Sequence, residues 1–186
     1  MKNVLVVSGH PELENESVAN KNILNNLEKL MPNAEFDYLD KLYSDFNIDI
    51  KDEQSKLQKS DVIVLQFPIW WYSIPSLMQR WFEQTFQHGF SHGSSGNELK
   101  NKKIILSFTS GASKEMYKKD GFMKYSVNEL LSPLYATANL CGMKIIGEVY
   151  TDNVSYLARD DSSLLEDTKE RTKEHAEKVV DLIEKA

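Results

Sequence analysis

Residues 62–67 read Val-Ile-Val-Leu-Gln-Phe, apolar at every position but Gln66 and rich in β-branched side chains. A run with no polar face predicts a strand covered on both sides, as in the interior of a parallel sheet clad by helices. Pro68 cannot donate to a ladder and predicts the strand's end. Pro75 suits the first turn of a helix, where an N–H is not needed. Trp70, Trp71 and Tyr72 are thereby placed on a strand-to-helix loop at the carboxyl edge of a sheet, where open α/β sheets bind ligands. Three large rings there could wall a flat polycyclic ligand, or could fill a core or a subunit interface. Pinned between prolines after a buried strand, they favour the binding role, with some of the rings serving packing.

The rest of the chain repeats the alternation of strand and helix. Strands are predicted over 4–7, 34–39, 103–108 and 143–150. Helices are predicted over 18–30, 52–60, 75–86 and 161–186, with one helix or two over 124–140 that Pro133 kinks or divides and Gly142 ends. Leu164, Leu165, Ala176, Val179, Val180 and Ile183 form the expected inner face of the last helix. Residues 43–50 and 154–158 read as loop and linker. The segment 87–97, with His88, Gly89, Phe90, His92, Gly93 and Gly96, reads as a glycine-rich loop that could border a pocket.

Five strands alternating with helices predict a three-layer sandwich, and right-handed crossovers favour the strand order 2-1-3-4-5. That order aligns loops 8–17, 67–74 and 109–117 along one edge, beside the switch point between strands one and three. Ser17 is a good N-cap, and a loop leading into a helix N-terminus can cradle a phosphate, although a cap alone explains Ser17 equally well. Neither Gly-x-x-x-x-Gly-Lys nor Gly-x-Gly-x-x-Gly is present. Thr109, Ser110, Gly111, Ala112 and Ser113 are small and would let a ligand approach the backbone, or simply form a turn. Convergence of the three loops is stronger than any one of them.

Composition narrows the classes further. With 186 residues, 41% hydrophobic, the chain suffices for one α/β domain. A net charge of -6 argues against a generic nucleic-acid binder. The single cysteine, Cys141, allows no intrachain disulfide and reads as a small buried hydrophobe. No Cys, His or carboxylate spacing indicates a metal site. The N-terminus is too soon interrupted for a signal peptide, and no apolar run is long enough to span a bilayer, so a cytoplasmic protein is expected.

Three blocks now carry a resemblance: Ser8-Gly9-His10-Pro11 with Ser17 and Asn20, the stretch from Gln66 to Pro75, and Thr109 to Ser113 with Met116 and Tyr117. Over residues 2–150 the chain resembles the flavodoxin-like NAD(P)H:quinone oxidoreductases, a family that includes DT-diaphorase, the small bacterial quinone reductases and ancillary subunits of potassium-efflux systems. The short length is more similar to the bacterial FMN-binding branch than to the longer FAD enzymes. The resemblance assigns His10, Ser17, Val18, Ala19 and Asn20 to the flavin phosphate and ribityl chain. It assigns Pro68, Ile69, Trp70, Trp71 and Tyr72 to one side of the isoalloxazine, and Thr109, Ser110, Gly111 and Ala112 to its polar edge. Tyr117 would lie near the ring as the catalytic hydrogen-bond or proton donor, and Phe90 and His92 would border the substrate site. The implied activity is reduction of quinones or related aromatic acceptors by NAD(P)H, in two successive hydride transfers through FMN or FAD, within a homodimer.

Three positions depart from the family pattern. Met123 stands where DT-diaphorase has a histidine assigned to proton relay, so that relay does not transfer. The loop 10–17 is one residue longer than in the bacterial branch, and Ala112 replaces a usual glycine. Two other readings stand beside the enzyme: a regulatory flavin-binding subunit of a membrane potassium-efflux channel, and a one-electron carrier of the flavodoxin type. The aromatic loop and the glycine-rich insertion favour a substrate pocket over the carrier.

Overall fold

The computed structural model describes residues 2–154 and 159–186. One sheet of five parallel strands runs through it in the order β2-β1-β3-β4-β5. The strands are β1 (Val4–Ser8), β2 (Glu35–Tyr38), β3 (Val62–Pro68), β4 (Lys103–Thr109) and β5 (Lys144–Thr151). All seven residues of β3 are buried, as its apolar run requires. Pro68 still pairs in register with Thr109, and it is the last residue to do so.

Helices cover both faces. On one side lie α1 (Leu13–Glu16), α2 (Ala19–Leu30) and α8 (Ser162–Lys185), which close a core of Val6, Val62, Val64, Ile105 and Val149 with Leu24, Leu27, Val179 and Ile183. On the other lie α3 (Leu39–Leu42), α4 (Ile50–Lys59), α5 (Ser76–Thr85), α6 (Val127–Leu130) and α7 (Ser132–Leu140), over Leu5, Leu65, Phe67, Leu106 and Phe108. Alternate strand residues feed the two cores, as the period of two demands.

Several elements differ from the sequence reading. The four-residue helices α1 and α3 interrupt segments read as loop and as strand end. Region 124–140 is two helices: Pro133 sits in the first turn of α7, where its ring is tolerated, and Gly142 closes that helix at φ +66. Leu164, expected on the inner face of α8, is 48% exposed; the buried positions there include the polar Thr168, Thr172 and His175. Of the linker expected over 154–158, only Val154 falls among the described residues. Gly9 follows β1 where α5 passes close: a Cβ there would meet the Met78 side chain at 2.7 Å. No helix among the described residues is long and apolar enough to cross a membrane.

Candidate active site

The carboxyl ends of β1, β3 and β4 open onto a cavity of about 610 Å³. It is lined by His10, Glu16, Ser17, Val18, Ala19 and Asn20 from the first loop and α2, by Pro68, Ile69 and Trp70 from the second, and by Thr109 and Gly111 from the third. Val154, Arg159 and Thr168 complete it. The strand order therefore brings the three loops together at one switch point.

One set of lining residues suits an anion. Ser17 has an extended backbone and Val18 a helical one, and Ser17 Oγ accepts from the N–H groups of Asn20 at 3.0 Å and Lys21 at 3.4 Å. Ser17 is thus the working cap of α2. The earlier N–H groups of the turn, at Val18 and Ala19, have no acceptor within the helix and lie at the cavity wall. Arg159 adds a full positive charge beside His10. Burial, helped by Arg159, lowers the His10 pKa to about 4, so the ring is neutral at ordinary pH. Its Nδ1 accepts from the Glu12 N–H at 3.1 Å, which leaves Nε2–H as the donor.

A second set of lining residues is polar and closely approachable. Thr109 and Asn20 are joined at 3.0 Å, and both reach the wall. Gly111 has open space where a Cβ would sit, so a planar group can come close to its backbone. Pro68, Ile69 and Trp70 supply the apolar part of the lining, with the Trp70 ring edge-on to His10 at 6.2 Å between centroids. A grip for an anion, small polar groups and an aromatic side chain thus line a single cleft.

Not every residue assigned from the sequence lines that cleft. Trp71 and Tyr72 form the tip of a tight turn, with Trp71 86% exposed. Ser110 is buried; its hydroxyl donates to the Ala112 carbonyl at 2.7 Å and meets Tyr150 OH at 2.6 Å, which shapes the loop from within. Ala112 is partly buried against the core. Tyr117 is buried, and burial together with the nearby Tyr72 phenol raises its pKa, keeping it a protonated donor. Phe90 packs in the core with Trp81 and Leu99, and His92 bonds to the Ser91 hydroxyl at 2.9 Å; neither lines the cavity. The sequence reading missed Glu16, Val154, Arg159 and Thr168. Arg159 and Thr168 lie near or within the last helix, outside the three loops, and had no local signal. Among the described residues no cluster of His, Cys, Asp or Glu could hold a metal ion.

A family described as having the flavodoxin-like fold matches residues 2–176. The chain belongs to this flavodoxin-like family. Among its relatives is an uncharacterized NAD(P)H oxidoreductase, YrkL, of Bacillus subtilis, 32% identical over 179 residues that make up 96% of each chain. KefG, an ancillary protein of the glutathione-regulated potassium-efflux system of Cronobacter sakazakii, is 40% identical over 75% of each chain. The flavodoxin-like architecture superposes on the general stress protein 14 of Treponema denticola, solved in complex with FMN, with a TM-score of 0.87. That pair is 24% identical and covers 97% of this chain and 99% of the other.

Proposed function

We propose that this protein is an FMN-dependent NAD(P)H oxidoreductase acting on quinones or similar aromatic acceptors. The observation that carries the reading is a single cavity lined by anion-binding groups, small polar groups and apolar and aromatic side chains, the three kinds of contact that a phosphate, a ribityl chain and a flavin ring would need. The FMN-bound relative and the relative named as an NAD(P)H oxidoreductase support it.

FMN, when bound, would take hydride from NAD(P)H and give it to the acceptor, the two partners using one place in turn. The first-turn amides of α2, His10 Nε2–H and Arg159 would hold the phosphate. Asn20 would meet the ribityl chain. Trp70 and Pro68 would flank the ring and keep water from it. Thr109 and the Gly111 backbone would face its polar edge, where donors stabilise negative charge. Tyr117 would serve the acceptor as a hydrogen-bond donor. Met123 cannot move a proton, so the acceptor's proton would come from Tyr117 or solvent.

Trp71, Tyr72, Phe122 and Tyr125 are all strongly exposed, and such rings are better covered than solvated. We assign them to a homodimer interface. The likeness to KefG supports a second reading, a flavin-binding regulatory subunit with a membrane-channel partner.

The test is direct. Purified protein should be yellow, release FMN on denaturation and oxidise NADH or NADPH with menadione as acceptor. Colourless protein that takes up no added FMN would overturn the proposal. Tight FMN binding with negligible NAD(P)H oxidation would favour the regulatory subunit.

A further inference from the structure

A polar row crosses the sheet one step behind the cavity. Ser8, Gln66 and Ser107 are register partners on β1, β3 and β4. All three are buried on the side covered by α2 and α8, where the rows beneath them are apolar. Buried polar groups without partners are costly, and here all but the Ser8 hydroxyl have one.

The bonds form a chain. Asn20 Nδ2 donates to Thr109 Oγ1 at 3.0 Å, and Gln66 Nε2 donates to Asn20 Oδ1 at 2.8 Å. Ser107 Oγ donates to Gln66 Oε1 at 2.5 Å. A hydroxyl has one proton, and Ser107 gives it to Gln66. Its 2.7 Å contact with His175 Nε2 is therefore one in which the imidazole donates. Burial lowers the His175 pKa to about 3, so the ring is neutral and carries a single N–H. With that proton on Nε2, Nδ1 accepts from Thr151 Oγ1 at 2.8 Å.

Every bond thus points the same way: Thr151 to His175, to Ser107, to Gln66, to Asn20, to Thr109. At the last step Thr109 accepts, so its own proton remains to be given to the cavity it lines. Chains of this kind polarise one another in a dry interior.

We propose that His175, which lies outside the ligand cavity, is a positioning residue whose hydrogen-bond chain fixes Thr109 as a donor toward the bound flavin and so favours the electron-rich reduced cofactor over the oxidised one. The inference rests on the FMN reading above. Without the donor at His175 or Ser107, the Gln66 and Asn20 amides are free to turn over. Thr109 would then direct its proton inward to Asn20 Oδ1 and offer the cavity only lone pairs.

The test uses the FMN-loaded protein and two pairs of variants. His175→Phe removes the donor, and His175→Gln restores an N–H. Ser107→Ala removes the link, and Ser107→Thr restores a hydroxyl. The readouts are the two-electron potential of bound FMN, by equilibration with reference dyes, and the Kd for oxidised FMN by fluorescence, with Tm as a check on folding. In H175F and S107A the affinity for reduced relative to oxidised FMN should fall about tenfold, equivalent to about 30 mV. H175Q and S107T should recover most of it. Should H175F not fold, the Ser107 pair decides. An unchanged potential in the folded Phe or Ala variant overturns the relay, as does an equal fall in the restoring variants. A wild-type protein that binds no FMN overturns the flavin reading itself, and the relay with it.

Discussion

Trp70 and Ser73 exchange both of their backbone hydrogen bonds, at 2.8 and 3.1 Å, and so close a two-residue turn on Trp71 and Tyr72. Both tip residues have positive φ, 47° and 64°, the pattern of a type I′ turn that normally takes Asn-Gly. Left-handed backbone costs an ordinary side chain about 1–2 kcal/mol per residue. Two bulky aromatics held there at the mouth of a cleft indicate strain retained for function. The double substitution Trp71→Asn, Tyr72→Gly should raise stability by about 1 kcal/mol, net of lost contacts, while lowering NAD(P)H oxidation. Denaturant unfolding and steady-state rates check the two halves separately.

Trp70 lines the cavity and Trp71 does not. Trp70→Ala should weaken FMN binding about tenfold, in the range of a lost aromatic stacking contact. Trp71→Ala should change it less than about twofold under the same stacking argument. Fluorescence titration with FMN gives both constants. Equal losses would move the ring out of the cleft.

Arg159 is the one lysine or arginine among the described residues lining the cleft, and its charge helps depress His10. Arg159→Met should cost about tenfold in FMN affinity, the scale of one charge-assisted contact. Riboflavin, which lacks the phosphate, should bind the variant and the parent equally. A shared loss would assign Arg159 to the ring or to the fold.

His175 is neutral when folded, with its pKa lowered to about 3 by burial, whereas the unfolded chain takes up the proton near the ordinary value of 6.5. Unfolding therefore binds a proton below pH 6.5, and this contribution to stability is lost as pH falls from there toward 3. In His175→Gln the acid decline of stability should be shallower by about 1 kcal/mol per pH unit between pH 6 and 4. Urea unfolding at a series of pH values measures it.

Glu53 is fully buried and accepts from Trp81 Nε1 at 2.6 Å, Tyr43 OH at 2.7 Å and Lys56 Nζ at 2.8 Å. Lys56 also bonds to buried Asp37 at 2.9 Å. Burial and the Glu53 charge raise the Asp37 pKa to about 7. Lys56→Met would leave two buried carboxylates facing each other, at a cost of about 3–5 kcal/mol. Asp37 can take up a proton at low pH, so the loss should be larger at pH 8 than at pH 5, as paired denaturation curves would show.

How far the sequence foretold these features depended on whether the signal was local. The apolar run of β3, the prolines at 68 and 75 and the glycine at 142 each encode their own geometry; the sheet order followed from the alternation of strand and helix with right-handed crossovers, and the meeting of three loops from that order. The polar chain from Thr109 to His175 was invisible, because its members are far apart in sequence and each looks ordinary alone. His175 sits in a charged amphipathic helix and carries no local signal of its own, and only packing against β4 and β5 reveals its partners. Trp71 shows a different limit: the residue type pointed to burial or ligand contact, and nothing local foretold the φ-positive turn that leaves it 86% exposed.

The row of Ser8, Gln66 and Ser107 also acts as an alignment mark for the strands themselves. Slipping any one strand by a single residue would turn its hydroxyl or amide toward Phe67 and Phe108 and strand it there, at about 1–3 kcal/mol for each polar group left unbonded. The same side chains that prepare the cleft thus penalise misaligned sheets, and a chain that has folded out of step would lack the cleft as well.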